Sequence, residues 1–458
     1  MKKITTFILL IITGTLFSQF QRSVISNTNT NGAYGILEKD INGDGHLDLL
    51  GASEIDNTLA YFINDGAAGF TQTIITNSFT GARSIDAADF DNDGDMDFAA
   101  VGSSELAWFE NDNGSFTKHT IETGLNDPRQ VRVSDIGTLL DPATPDGDID
   151  IGVLVSGENT ASVFMNDGSN SFSRFNIISI DSPRYLHGGD FDLDNSPDFL
   201  VSSYNGDGTN NDENIVWYKV GSWGLVQGGV VATDFHGAFG VEGGDIDLDG
   251  DDDVIGAAFI DNEVAWFENV NGDGSSFVKH TIDNNLIGAS YVHWLDIDND
   301  GDKDIVATGY GSDALLNDSE VVIYYNDGAQ NFTKVVVDDT IRGAATFTVQ
   351  DFNGDGENDI AAAGSASNEF VLYLYQTNAV HTNDLAHLSV YPNPVYDVLH
   401  ITSAKPIQQT EVFDITGRLV LSTQQTTIDV SNFNKGYYLV KVILRDGNLI
   451  TKKVLVLK

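Results

Sequence analysis

The sequence predicts an all-β protein: seven repeated units of four short strands, fitting a seven-bladed β-propeller with Asp-rich loops, followed by a small β-sandwich. Three observations carry this. An acidic nine-residue stretch, clearest from Asp296 to Asp304 with Asp298, Asp300, Gly301 and Asp302 between, recurs along most of the chain. Its copies begin at Asp40, Asp89, Asp135, Asp190, Asp245, Asp296 and Asp351, at spacings of 46 to 55 residues, which is a repeat period rather than a scatter of acidic turns. Around each copy the same four strand signals follow in the same order, with almost no helical periodicity.

Within a unit, the strand before the acidic stretch alternates apolar and polar residues, as over 83–88, and the strand after it is short, small and apolar, as over 98–101. The third strand is aromatic, with Trp108 and Phe109, Trp217 and Tyr218, or Trp266 and Phe267. An Asn/Asp/Gly turn then leads to a fourth strand that usually opens with Phe, such as Phe116 or Phe277. Such units build either a ring of blades or a linear solenoid. The termini separate the two. The seventh unit stops after its third strand, Phe370 to Tyr375, and the missing Phe-led strand stands at the other end: Phe20 precedes Asp40 by 20 residues, as Phe70 precedes Asp89 by 19. The N-terminal strand is expected to close the last blade, which removes the open edges of a solenoid.

The acidic stretch reads as a metal loop. Carboxylates at positions 1, 3, 5 and 9 can wrap one hard cation, Gly at position 6 allows a left-handed turn, and position 7 can lend its carbonyl. A set made only of oxygens suits calcium better than zinc or copper. The expected ligands are Asp40, Asn42, Asp44 and Asp48; Asp89, Asp91, Asp93 and Asp97; Asp135, Asp146 and Asp150; Asp190, Asp192, Asp194 and Asp198; Asp245, Asp247, Asp249 and Asp253; Asp296, Asp298, Asp300 and Asp304; and Asp351, Asn353, Asp355 and Asp359. Up to about seven Ca2+ ions are expected. The third loop is interrupted by an insertion with Asp141, Pro142 and Pro145, which leaves its position 3 open, and the fourth has Asn195 at position 6. Asn tolerates the left-handed region.

Residues 1–18 have a basic start, an apolar run and a small residue before Gln19, and read as a secretory signal peptide. The propeller is placed at 19–378, a polar linker at 379–386 and the second module at 387–458. No later stretch is long and apolar enough for a transmembrane segment. With no cysteine, disulfides cannot staple the fold, and metal ions are the obvious substitute. The formal net charge of −45 argues against binding nucleic acid or an anionic membrane through general electrostatics. A monomer is expected.

These repeats, with their Asp-x-Asp-x-Asp-Gly-x-x-Asp loops and the Asn-Asp-Gly turn after the aromatic strand, resemble FG-GAP (VCBS-type) repeats, which are similar to the blades of integrin α-subunit propellers. The resemblance implies calcium in the hairpin between the first two strands of each blade. The C-terminal module, with Tyr391 to Pro394, then Gly417 and Arg418, Gly436 to Lys441 and the Lys452 to Lys458 end, resembles a type A sorting domain of the type IX secretion system. That implies handling by the type IX secretion machinery, and release or display at the outer cell surface.

No nucleophile elbow, His-Glu-x-x-His helix or phosphate loop is present. Three residues ahead of the loops the first strands carry Leu37, Asp86, Arg132, His187, Glu242, His293 and Thr348, and four ahead the series is apolar throughout. Alternation separates packing residues from a polar ring that can face a central channel. Glu242 between His187 and His293 is the most enzyme-like group; the plainer alternative is channel-lining residues satisfied by water or by each other. Six residues ahead of the loops, Arg83, Arg129 and Arg184 fall on consecutive blades, with Tyr34, Tyr185 and Phe239 near them. They are candidate ligand-binding residues for an anionic glycan, or else scaffold partners of acidic loops. The reading is a secreted binding or adhesion module for a glycan or extracellular protein, and the rival is a polysaccharide-degrading lyase or hydrolase acting at the channel mouth.

Overall fold

The computed structural model describes residues 20–135, 146–194, 196, 198–204, 214–221, 224–312, 316–376, 389–403, 406–414, 418–444 and 449–457. The signal segment 1–18, the linker 379–386, the third-loop insertion, Asn195 and the acidic insertion 205–213 lie outside the described residues. The chain divides into two compact units, Met1–Tyr375 and Gln376–Lys458.

The described residues of the larger unit form seven four-stranded antiparallel sheets and contain no α-helix. Six sheets run in chain order from inner to outer strand, as in Ala33–Lys39, Asp48–Ser53, Thr58–Asn64 and Phe70–Thr76. The seventh draws on both ends of the unit. Phe20–Ser26 pairs antiparallel with Glu369–Tyr375, which continues into Asp359–Gly364 and Ala344–Gln350. The inner strands Ala33–Lys39, Ser84–Ala88, Pro128–Ser134, Pro183–Gly189, Ala238–Gly244, Ala289–Leu295 and Ala344–Gln350 each touch the next, and the last touches the first. The sheets thus form a closed ring, a β-propeller.

Packing explains the composition of the strands. Second strands such as Asp253–Ala258, Asp304–Gly309 and Asp359–Gly364 are buried at every position because neighbouring sheets cover both their faces, so they read as continuous small apolar runs. Gly51 shows how little room remains: a Cβ there would lie 2.9 Å from the rings of both Phe62 and Phe370. Six of the seven apolar positions four ahead of the loops, including Ile85, Val131, Val241, Val292 and Phe347, are buried, and Leu186 is partly buried.

One polar device repeats through the ring. The position-9 Asp of every loop is the first residue of its second strand and is at most 1% exposed. Asp304 Oδ2 accepts the Ile297 N–H at 3.1 Å and its Oδ1 accepts the Asn326 N–H at 2.8 Å. The same pair of bonds joins Asp48 to Ile41 and Asn64, Asp97 to Phe90 and Asn111, Asp253 to Ile246 and Asn269, and Asp359 to Phe352 and Tyr375. One carboxylate therefore ties the acidic loop to the third strand. Asn326 carries the link onward, donating to the Lys303 carbonyl and accepting from Gly328 in the next turn. Burial of a charge is costly unless such bonds offset it.

In the smaller unit, a three-stranded sheet (Ser389–Tyr391, Val398–Thr402, Thr427–Asp429) and a four-stranded sheet (Leu419–Thr423, Ile407–Asp414, Gly436–Leu444, Leu449–Val456) share one core. Leu399, Ile401 and Ile428 from the first meet Val412, Val440, Val442 and Val454 from the second, which is the expected sandwich.

Closure of the ring rests on the N-terminal strand. Phe20 is buried and meets the Tyr375 ring edge-on at 5.1 Å, and Arg22 pairs with Asp338 at 2.9 Å and Glu369 at 2.6 Å. Truncating Phe20 to Ala should cost about 3 kcal/mol. Deleting Phe20–Ser26 should lower the calorimetric melting temperature further and promote aggregation through the freed edge of Glu369–Tyr375. An unchanged melting temperature after the deletion would contradict closure by this strand.

Candidate functional site

The acidic loops are shaped before any ligand is considered. Position 1 accepts the amides of positions 5 and 6, as in Asp296 with Asp300 and Gly301 at 3.1 Å each, and position 5 accepts that of position 7, as in Asp300 with Asp302. The third loop keeps this pattern across its insertion: Asp135 accepts from Asp146 and Gly147, and Asp146 from Asp148. Position 6 is left-handed as expected, with φ of 87° to 103° at Gly45, Gly94, Gly147, Gly250, Gly301 and Gly356. Position 4 is left-handed too, at Gly43, Asn92, Leu193, Leu248, Asn299 and Gly354.

Carboxylate oxygens of Asp190, Asp192 and Asp194, of Asp245, Asp247 and Asp249, and of Asp296, Asp298 and Asp300 lie within 4.8 Å of one another, as do those of Asp89, Asp91 and Asp97. In the first and seventh loops position 3 is an amide, and Asn42 and Asn353 donate to Asp44 and Asp355. Asp192 Oδ1, Asp198 Oδ1, Asp245 Oδ1 and Asp298 Oδ1 are buried without a hydrogen-bond partner among the described residues. Such oxygens fit a hard cation. Burial, with the neighbouring loop carboxylates adding to it, pushes Asp97, Asp198 and Asp304 up to about 6 and Asp253 and Asp359 to about 7, against the pull of their backbone bonds. The fourth loop differs: the Lys219 ammonium stands 2.8 Å from Asp192 Oδ2.

At the opposite end of the inner strands lies a cavity lined by residues from all seven sheets, among them Tyr34, Arg83, Arg129, Arg184, Phe239, Tyr291 and Thr346. The fold therefore brings the three sequence-predicted arginines into one place. They converge on Asp127, which sequence reasoning missed. Arg83 Nη1 is 2.5 Å from Asp127 Oδ1, and its other nitrogens hold Glu54. Arg129 grips Asp127 Oδ2 through Nε and Nη2 at 2.9 and 2.7 Å. Arg184 reaches the same oxygen only at 4.0 Å. Its guanidinium lies 4.5 Å from the Tyr204 ring centre and 5.9 Å from that of Phe239, and its Nε is buried with no hydrogen-bond partner among the described residues. Burial, then the like charge of Arg129, lowers Arg184 to about 10. Burial works against the Asp127 carboxylate, but bonds from Arg83 and Arg129 hold it below the ordinary range.

Deeper along the ring, Glu242 accepts His293 Nδ1 at 2.9 Å. Burial opposes charge on His293 and Glu242 outweighs it, so its affinity for a proton is raised. Asp86 accepts the Val133 N–H, His187 Nδ1 the Gly243 N–H, and Thr348 donates to Glu38. The polar ring thus spends its hydrogen bonds on joining adjacent inner strands.

Comparisons with known proteins bear on both units. The model of the FG-GAP-like repeat matches residues 40–100 and 245–307, and that of the secretion system C-terminal sorting domain matches residues 389–457. No curated protein matches. Among solved structures, that of selenomethionine-substituted virginiamycin B lyase from Staphylococcus aureus is similar at a TM-score of 0.48 and 13% identity, over 77% of this chain and 98% of that one. No helix of the described residues is long and apolar enough to cross a membrane. The sorting domain directs a protein through the type IX secretion system to the medium or the outer cell surface. The chain is therefore a β-propeller that contains FG-GAP-like repeats at 40–100 and 245–307 and carries a secretion system C-terminal sorting domain at 389–457.

Proposed function

We propose that this protein is a calcium-stabilised binding or adhesion module that captures an extracellular glycan in its axial cavity. The mature propeller spans 19–378 and works as a monomer, after removal of the signal segment 1–18 and delivery by the tail 387–458. One observation carries the reading: a single cavity, open at one end of the ring, gathers side chains from all seven sheets, several of them guanidinium groups and aromatic rings. The rival reading as a polysaccharide-degrading enzyme would draw on Glu242 and His293. Binding is favoured because those side chains already hold each other and the Trp294 amide. A glycan array run in calcium and in chelator, with product analysis for new reducing or unsaturated ends, tests both. Capture without cleavage is expected, and new chain ends would favour the enzyme.

For the loops, calcium is supported by the all-oxygen donor set, its sevenfold recurrence and the buried unpartnered oxygens of Asp245 and Asp298. In the fourth loop Lys219 competes with a cation for Asp192, and the third loop lacks a settled position-3 ligand. A site held at one hundred times its dissociation constant stabilises by about 2.7 kcal/mol, and clustered carboxylates repel without the ion. Chelator should therefore lower the melting temperature markedly and calcium should restore it. Identical melting in calcium and in chelator would remove calcium from the structural account.

Export gives a separate check. A chain lacking 387–458 should fold but accumulate in the periplasm, read by fractionation. Its efficient appearance in the medium would overturn the role of the tail in this protein.

A further inference from the structure

We propose that the axial cavity recognises an acidic sugar, bearing a carboxylate or a sulfate, through Arg184 and Arg129, with Asp127 as the counter-ion that the ligand's oxyanion supplements. The proposal rests on the reading of this cavity as the ligand site and deepens it. Among the described residues, three guanidinium groups, those of Arg83, Arg129 and Arg184, pair with two carboxylates, those of Asp127 and Glu54. The shortfall falls on one residue. Arg83 is held from both sides and Arg129 is bidentate on Asp127, whereas among the described residues Arg184 has its nearest carboxylate at 4.0 Å and leaves its Nε unpartnered. A planar cation fixed against Tyr204 and Phe239, with a donor unpartnered among the described residues, is preorganised for a planar or tetrahedral oxyanion.

The setting sharpens the choice of ligand. In a chain of formal charge −45, a cluster whose cations outnumber its carboxylates among the described residues is a local reversal of sign. Charges beyond about 8 Å are largely screened at physiological salt, so a short acidic group that reaches the cavity meets mainly the arginines. A peptide strand is disfavoured because inward-facing amides that would pair with it are occupied: Ile36 by Thr346 Oγ1 at 3.2 Å, Val131 by Ser84 Oγ at 3.2 Å and Leu186 by Gln130 Oε1 at 2.9 Å. Recognition is left to side chains. Guanidinium donors beside aromatic faces suit a sugar ring carrying an acid.

Isothermal titration in calcium tests this with tetragalacturonate, a sulfated tetrasaccharide, a neutral tetrasaccharide and tetraglutamate as probes, on wild type, Arg184→Gln, Arg184→Lys and Arg129→Gln. Binding of at least one acidic sugar is expected, weakened tenfold or more by Arg184→Gln and partly restored by Arg184→Lys, with melting temperatures within a few degrees of wild type. The preferred probe tells carboxylate from sulfate recognition. Undiminished binding by a folded Arg184→Gln variant overturns the proposal, as does preference for tetraglutamate. Equal binding of the neutral sugar also overturns it while leaving the cavity as a glycan site. If Arg184→Gln does not fold, loss of acidic-sugar binding in Arg129→Gln supports the proposal and retention overturns it. Should the glycan array show no ligand of any kind, the broader reading fails, and that outcome is distinct from these.

Discussion

Much of this ring depends on a carboxylate that has left water. At the start of each second strand an Asp is buried and, in five of the seven units, gives one oxygen to the acidic loop and the other to the third strand. A buried carboxylate without partners would cost several kcal/mol. The two amides therefore fix where the loop and the third strand must lie. Each oxygen keeps a second lone pair, so the same residue can hold the scaffold and face the loop.

That arrangement divides the two ends of the inner strands between two kinds of charge. Acidic loops follow the inner strands, and the arginines stand at their starts, Arg83 just before Ser84–Ala88 and Arg129 and Arg184 second in Pro128–Ser134 and Pro183–Gly189. The five residues of Ser84–Ala88 span roughly 17 Å. Between the ends, Asp86, His187, Glu242 and Thr348 bond one inner strand to the next, and the rings of Tyr185, Tyr291 and Phe347 meet edge-on.

Period and order of strands were legible in the sequence because each unit repeats its burial pattern: alternating inner strand, small second strand, aromatic third strand. The unpaired third strand at Tyr375 and the early Phe20 were enough to anticipate their pairing. Asn64, Asn111 and Asn326 were legible only as turn residues, since nothing in an Asn-Asp-Gly signal tells that the amide also holds a carbonyl of the preceding hairpin. Leu193 and Leu248 adopt left-handed backbone that leucine rarely favours, so only the loop's register could have pointed to them. At the cavity, register alone aligned Arg83, Arg129 and Arg184. Asp127 had no periodic counterpart, and the uneven sharing of it, which leaves Arg184 short, is a property of three-dimensional distances alone.

The buried Asp is the most direct place to test this account. Amide hydrogen exchange of Asp304→Asn and wild type, both in chelator so that metal plays no part, reads the clamp itself. Asn retains one acceptor oxygen and places an NH2 where the other was. The account predicts faster exchange at Ile297 or Asn326, spreading to the turn at Gly328 but leaving the sheet of Asp97 unchanged. Unaltered protection at both amides would contradict the claim that this carboxylate fixes the loop to the third strand.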